Sequence, residues 1–427
     1  MDGDGLPPFD PGRLDLADPY PVYRRYRERD PVHAVRASGG AAGSAGGEFP
    51  APTTWYLFRY AEVARVLTER AFRRRSPVTG RAAPVPEGYE TLRRVVENWL
   101  VFLDPPDHAR LRARVGPPLG AAAVAGLRPA VRAIAEELAA PLAERHAVDL
   151  VREFAAPFPL LVIARVLGVR GRLWPWFRER ALALQEAGGT RGDRAPEGLA
   201  RADRAAGELE RYFAAELTAR QAAGGRPRDL MGALAEAARE DPALTVTVLA
   251  STCVHLLTAG HETTTGLLGK AVLALLARPG TAAELRAEPG LLAGAVDEFL
   301  RFDPPVQMVT RRAWRATELG GRRVRRGDRL VAVLGSAHRD PARFPDPDVL
   351  DVRRATGRHC AFGLGIHYCA GAALARLEAE TGLAVLLDRL PLLRPEACPR
   401  VEVDYAPDWV FHGPSRLVLR SGEARAA

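Results

Sequence analysis

From about Pro106 to Pro304, this 427-residue sequence is written almost without interruption in Ala, Leu, Arg and Glu at helical spacing. Apolar positions recurring every three to four residues over so long a stretch exclude an all-β architecture. The strand-like pieces are short and lie outside it. "TTWYLFRY" is aromatic and β-branched, "ELGGRRVRRGDRLVAVL" and "SRLVLR" follow the helical region, and "DPYPVYRRYRERDPVHAV" begins as an amphipathic helix and runs into a strand. The low-complexity "ASGGAAGSAGGEFPAP", glycine-rich from Ser38 to Gly47, reads as a long exposed hairpin loop. Two breaks stand out, "SPVTGRAAPVPEGYE" before the helical stretch and "AGGTRGDRAPEG" within it. With no internal repeat and no separating linker, the expectation is one mainly α domain over residues 1–427 with a small β portion.

Charge narrows the function classes. The formal net charge is +8, and Lys270 is the only lysine, so arginine carries the excess, as codon bias in a GC-rich bacterial genome would produce. No zinc-finger, helix-turn-helix or basic-zipper signature accompanies it, which argues against nucleic acid. The N-terminus "MDGDGLPPFD" lacks an apolar signal core, and the longest apolar run is broken by "AGHETTT". The expected location is cytoplasmic, with no membrane association. Four scattered cysteines, Cys253, Cys360, Cys369 and Cys398, then suggest no disulfide framework.

One cysteine sits in a constrained setting. In "AFGLGIHYCAG", Gly363 and Gly365 precede Cys369, and a helical run follows directly. Glycines allow positive φ or close backbone approach. A thiol at the start of the following helix meets its positive end, which favours thiolate, so Cys369 reads as a ligand or a nucleophile. Zinc on His359, Cys360, His367 and Cys369 fits the usual ligand gaps poorly. A nucleophile lacks an evident base here, and a plain buried cysteine leaves the glycines unexplained. His367 reads as a structural loop residue.

Phe362, Gly363, Gly365, His367, Cys369 and Gly371 are similar, position for position, to the haem-binding loop of the cytochrome P-450 family. That family ligates haem iron through a cysteine thiolate. The resemblance implies Cys369 as the axial metal ligand, glycines that let the loop lie flat on the porphyrin, and Phe362 shielding the sulfur. It also implies haem b, held between a long central helix and the cysteine loop.

That helix is "VHLLTAGHETTTGLLGKAVLALLARPG", with a start expected at Asp241-Pro242. Ala259, Glu262 and Thr263 share one face. A carboxylate beside an alcohol in an apolar helix is costly unless functional or paired, although a structural ion pair and a back-bonded threonine would also explain them. The resemblance implies Thr263 as hydrogen-bond partner of dioxygen and Glu262 as proton relay, with Ala259 and Gly260 leaving room for oxygen. His261 reads as a structural residue, and His255 as a packed helix histidine, with a pocket-facing side chain as the alternative.

In "LDPPDHARLRAR", Asp104 is placed to cap a helix, with His108 and Arg112 one turn apart. Donors so aligned can hold a carboxylate pair, and haem carries two propionates. By resemblance His108, Arg112, Arg311 and His359 are propionate ligands, with Arg312 the rival to Arg311. Glu298 and Arg301 of "DEFLRF" resemble the family's buried Glu-x-x-Arg pair, joined by Arg354, with Arg353 as the alternative; their role is structural. Departures from the family pattern are the long glycine-rich loop and Lys270 in the central helix.

The resemblance places substrate-recognition segments at residues 76 to 100 and about 174 to 200. It offers Val306, Met308, Trp409 and Phe411 as pocket residues, whose apolar character suits a hydrophobic small molecule. No flavin or dinucleotide fingerprint is present, so electrons must come from outside, and ferredoxin with its reductase is the implied partner. Arg110 and Arg114 could contribute a basic docking patch. The expected activity is insertion of one oxygen atom of O2 into a hydrophobic small molecule in bacterial specialised metabolism, by a monomer. The alternatives are a peroxide-driven peroxygenase, which the Glu262–Thr263 pair disfavours, and a non-catalytic haem protein recruited to a carrier protein.

Overall fold

The structure is a computed structural model that describes residues 5–36, 52–82, 85–169, 171–187, 195–225, 227, 229–409 and 411–421. The expected glycine-rich loop falls largely outside those residues. The strands that flank it, Val32–Val35 and Thr54–Leu57, pair antiparallel.

The centre is the 31-residue helix Val246–Leu276. Thr245 caps it, its hydroxyl accepting the Val248 N–H at 3.3 Å. The start expected at Asp241-Pro242 is therefore corrected: Asp241 instead terminates the preceding helix, Leu230–Glu240. The end falls just before Arg278-Pro279, because a residue preceding proline disfavours helical ψ. The central helix is buried on nearly every side, which a largely apolar sequence requires. Helices Pro157–Leu167, Pro196–Ala223 and Ala372–Arg389 pack around it. Lys270, unusual in such surroundings, is buried with its Nζ 2.7 Å from Asp303 Oδ1, 3.0 Å from the Pro304 carbonyl and 2.5 Å from His412 Nδ1. A buried ammonium persists only when paired in this way.

The β portion is small, as expected. A five-stranded sheet runs in the order Val32–Val35, Thr54–Leu57, Arg329–Val333, Met308–Ala313, Phe72–Arg73. Thr54–Leu57 pairs parallel with Arg329–Val333 and the other neighbours are antiparallel. Pro414–Arg420 lies between Ala147–Asp149 and Arg400–Tyr405 in a second, antiparallel sheet. The helical core is the largest apolar cluster, and two smaller ones lie on either face of the first sheet. No described helix is long and apolar enough to cross a membrane.

Candidate haem site

The cysteine loop is built by its glycines. Gly363 and Gly365 both have φ +70°, where a side chain is strained. Gly365 also abuts helix Tyr60–Thr68, since a Cβ there would lie 2.6 Å from the Leu67 carbonyl oxygen. The loop closes on itself: Cys369 N–H donates to the Phe362 carbonyl at 2.8 Å and Gly363 N–H to that of Cys360 at 2.9 Å. Gly371 is the N-cap of helix Ala372–Arg389. Cys369 is exposed at the rim of this turn, whereas Cys360 is buried, its thiol 3.1 Å from His338 Nε2.

The helix terminus alone does not turn the free Cys369 thiol into a thiolate. Although the residue's outer surface is open, its thiol is set among protein atoms, and that desolvation pushes the free thiol up; Gly371 N–H, Arg112 and Arg376 offset it only in part. Only a strong Lewis acid bound to the sulfur would hold it as thiolate. The zinc alternative finds no support, because Cys360 faces His338 and His359 faces Asp297. No cluster of three or more potential ligands occurs among the described residues.

Along the central helix, every residue from Leu249 to Val272 is buried except Ala259, Gly260, Glu262 and Thr263. These are the four positions selected from the sequence, and they form an open window in an otherwise sealed helix. Thr263 Oγ1 donates to the Ala259 carbonyl at 3.0 Å. Gly260 has a packing reason as well, since a Cβ would lie 3.1 Å from Ile163 Cγ1. His261 is fully buried with Nδ1 3.4 Å from Glu262 Oε1. Burial first, and then Arg178, pushes its pKa down to about 3, so it is neutral.

A cationic basin lies beside the cysteine loop. Arg311 is buried, and burial with neighbouring Arg74 pushes it down to about 9. The His108 and His367 rings are 4.4 Å apart. Burial, then Arg311, His108, Arg74 and Arg112, push His367 down to about 2. Its Nε2 is buried without a hydrogen-bond partner. Asp104 is the one acid that offsets these cations. So many cations beside an orphaned nitrogen fit a dianionic group, and two propionates supply that charge. Arg312 is directed elsewhere, its Nη1 3.4 Å from the Gly327 carbonyl. Arg74 and His367 escaped sequence reasoning, Arg74 because nothing local marks it and His367 because a loop histidine is usually structural.

Some expectations are not met. Asp104 does not cap helix Asp107–Val115; its carboxylate accepts the N–H groups of Arg74 and Arg75 at 3.0 and 2.9 Å, which ties strand to helix. His359 is not turned to the basin. Its Nε2 lies 3.1 Å from Asp297 Oδ1 and its Nδ1 accepts the Ala361 N–H, so both nitrogens are used at the root of the loop. Phe362 carries Arg376 over its ring at 4.5 Å, and Arg376 also binds Asp297. Met308 and Trp409 belong to the buried cluster under the N-terminal segment, not to a pocket. The reason is strand parity: Arg311 faces the site, so Val309 shares its side and Met308 takes the other. Val306 is partly buried beside Val309, and Phe411 is partly buried with its N–H on Asp408. Gln185 Nε2 reaches from helix Trp174–Ala187 to the Thr258 carbonyl at 3.1 Å, which ties that helix to the central one. Residues 188–194 of the expected lid and 83–84 of the expected upper loop lie outside the described residues.

The Glu298–Arg301 pair is buried, and Arg354 Nε joins it at 3.2 Å from Glu298 Oε1. Arg353 binds Glu284 and Glu288 on the surface instead. Arg110 and Arg114 are likewise paired, with Asp107, Asp241 and Glu240, so neither is a free docking cation.

A sequence model described as "Cytochrome P450" matches residues 198–406. The chain is 36% identical to cytochrome P450 107B1 of Saccharopolyspora erythraea, over 94% of each chain. It is 35% identical to cytochrome P450 monooxygenase PikC of Streptomyces venezuelae, over 97% of this chain and 94% of the relative. Among solved structures, P450BioI in complex with an acyl carrier protein ligated to hexadec-9Z-enoic acid superposes with a TM-score of 0.83 at 29% identity. That match covers 95% of this chain and 98% of that one.

Proposed function

The chain belongs to the cytochrome P450 family and is a haem-thiolate monooxygenase, and we propose that Cys369, the window at Ala259–Thr263 and the basin around Arg311 form its catalytic centre. The observation that carries this reading is the window. Between Leu249 and Val272 of this helix, the residues not fully buried are Ala259, Gly260, Glu262 and Thr263, the positions that would have to meet dioxygen and substrate.

Haem, here read as haem b, supplies activation of O2 for insertion of one oxygen atom into a hydrophobic small molecule, with electrons from an external donor. Everything else falls to the chain. Cys369 holds the iron, on a loop whose glycines and Cys369–Phe362 hydrogen bond fix the sulfur's position. His108, Arg112 and Arg311, with His367 added, hold the propionates. Glu262 moves protons toward the oxygen site, and Thr263 hands them on through its hydroxyl once it releases the Ala259 carbonyl. Neutral His261 beside Glu262 leaves the carboxylate as the proton carrier at neutral pH.

We read residues 1–427 as one domain acting as a monomer. Ferredoxin and its reductase are the proposed electron donors, because the chain carries no flavin or dinucleotide fingerprint. The substrate class we propose is a hydrophobic product of bacterial specialised metabolism. Glu262 and Thr263 together disfavour a peroxide-driven enzyme, which needs no proton relay. The test is the carbon monoxide difference spectrum of the reduced protein: a strongly red-shifted Soret band supports thiolate-ligated haem, and a histidine-like band or absence of haem sinks the reading.

A further inference from the structure

A stack of aromatic and cationic planes leads from the basin to the central helix. The Arg74 guanidinium lies 5.0 Å from the Phe102 ring centroid. Phe102 stacks on Trp99 at 6.2 Å and 11°, and Trp99 on His255 at 5.2 Å and 22°. His255 stands one turn before Ala259 and two before Thr263, on the face that opens as the window. Arg74 acts electrostatically on His255, His367 and Arg311 alike, which puts the stack at the edge of the haem basin.

Two polar atoms in this stack are orphaned. Trp99 Nε1 and His255 Nδ1 are buried with no hydrogen-bond partner, although each residue is only 9% exposed. Leaving a buried N–H group unpaired forfeits its hydration without replacement, so such groups rarely persist without a partner. Indole N–H is donor only, and a neutral imidazole can donate from Nδ1.

We propose that Trp99 and His255 together read an oxygen acceptor on the substrate, so that the preferred molecule is an apolar skeleton bearing a neutral carbonyl or hydroxyl group rather than a pure hydrocarbon or an acid. This rests on the monooxygenase reading above and specifies its substrate class. A neutral group is preferred because, among the described residues, the groups at the stack that could carry positive charge are neutral or already engaged. His255 is held neutral, pushed down to about 4 by burial and Arg74. Arg74 itself donates to the Val101 and Thr310 carbonyls and has Asp104 beside it.

The experiment is a spin-state titration of the holoenzyme with phenylcyclohexane, 4-phenylcyclohexanone and 4-cyclohexylbenzoic acid. Wild type should bind the ketone on the order of tenfold more tightly than the hydrocarbon. Trp99→Phe and His255→Phe, which keep the stack, should each erase most of that preference and leave the hydrocarbon affinity and the reduced carbon monoxide band unchanged. Equal affinity for ketone and hydrocarbon, tighter binding of the acid, or no binding of the ketone overturns the proposal. So does loss of haem in Trp99→Phe, which would make the indole a propionate donor instead. Absence of the red-shifted Soret band from wild type would mark failure of the monooxygenase reading itself, a separate result.

Discussion

The Arg301 guanidinium meets the Glu298 carboxylate along two parallel hydrogen bonds, Nε to Oε2 and Nη2 to Oε1, both 2.7 Å, with neither side chain exposed. Backbone groups, with the Arg354 and Thr356 side chains on Glu298, take the remaining capacity. Arg301 donates to the carbonyls of His338, Pro347 and Val349, and Glu298 accepts the Asp351 N–H. The pair thus pins the chain that leads from residue 338 to the cysteine loop. Removing one partner strands a buried charge. Glu298→Ala should cost about 3–5 kcal/mol in denaturant unfolding and lower haem retention, whereas removing the exposed Arg353 should leave the denaturant midpoint close to wild type.

Gly365 and Gly371 should respond differently to alanine. Gly365 combines φ +70° with a Cβ position 2.6 Å from a backbone oxygen, and Gly365→Ala should destabilise by about 1–3 kcal/mol. Gly371 has φ −90° and open space around its Cβ position. Gly371→Ala should leave unfolding of the haem-free protein within about 0.5 kcal/mol of wild type. Thermal melts of the two variants check the contrast.

If Glu262 relays protons, Glu262→Gln should slow product formation by about a hundredfold while leaving the substrate spin shift intact. Thr263→Ala should consume reduced cofactor without matching product, with peroxide released instead. Product per electron pair is the deciding measurement; unaltered coupling in Thr263→Ala would remove the hydroxyl from the relay.

His261 predicts a dependence on pH. Its folded pKa, about 3, lies below the ordinary value of 6.5 because burial disfavours the cation. The unfolded chain therefore binds the proton first as pH falls. The stability His261 contributes is complete above about pH 6.5 and is lost progressively toward pH 3. His261→Gln should flatten the drop in denaturant midpoint between pH 7 and pH 5, and an unchanged slope would place the acid sensitivity on other buried histidines.

Arg311→Ala should weaken haem binding, since the basin loses a buried cation, and Arg312→Ala should not. Haem transfer to apomyoglobin measures both. A preserved haem dissociation rate in Arg311→Ala would remove it from the propionate set.

The sequence by itself determined the helical architecture, the cysteine loop and the window on the central helix. In each case the cause is local: 3.6-residue periodicity, glycines at positive φ, and one polar pair in an apolar helix. The preference for Arg311 over Arg312 and for Arg354 over Arg353 came from the family resemblance, not from the local pattern. Only the tertiary structure decided where long-range partners lie. Asp104 left its expected cap because two N–H groups from residues 30 positions away reach it. His359 turned to Asp297, 62 residues distant. Met308 fell on the wrong side of its strand for a pocket, a matter of one-residue parity fixed by the sheet. Arg74, His367, Trp99 and His255 acquired meaning only when chain segments far apart in sequence brought their planes and charges together, because burial and electrostatic fields belong to the fold and not to any local pattern.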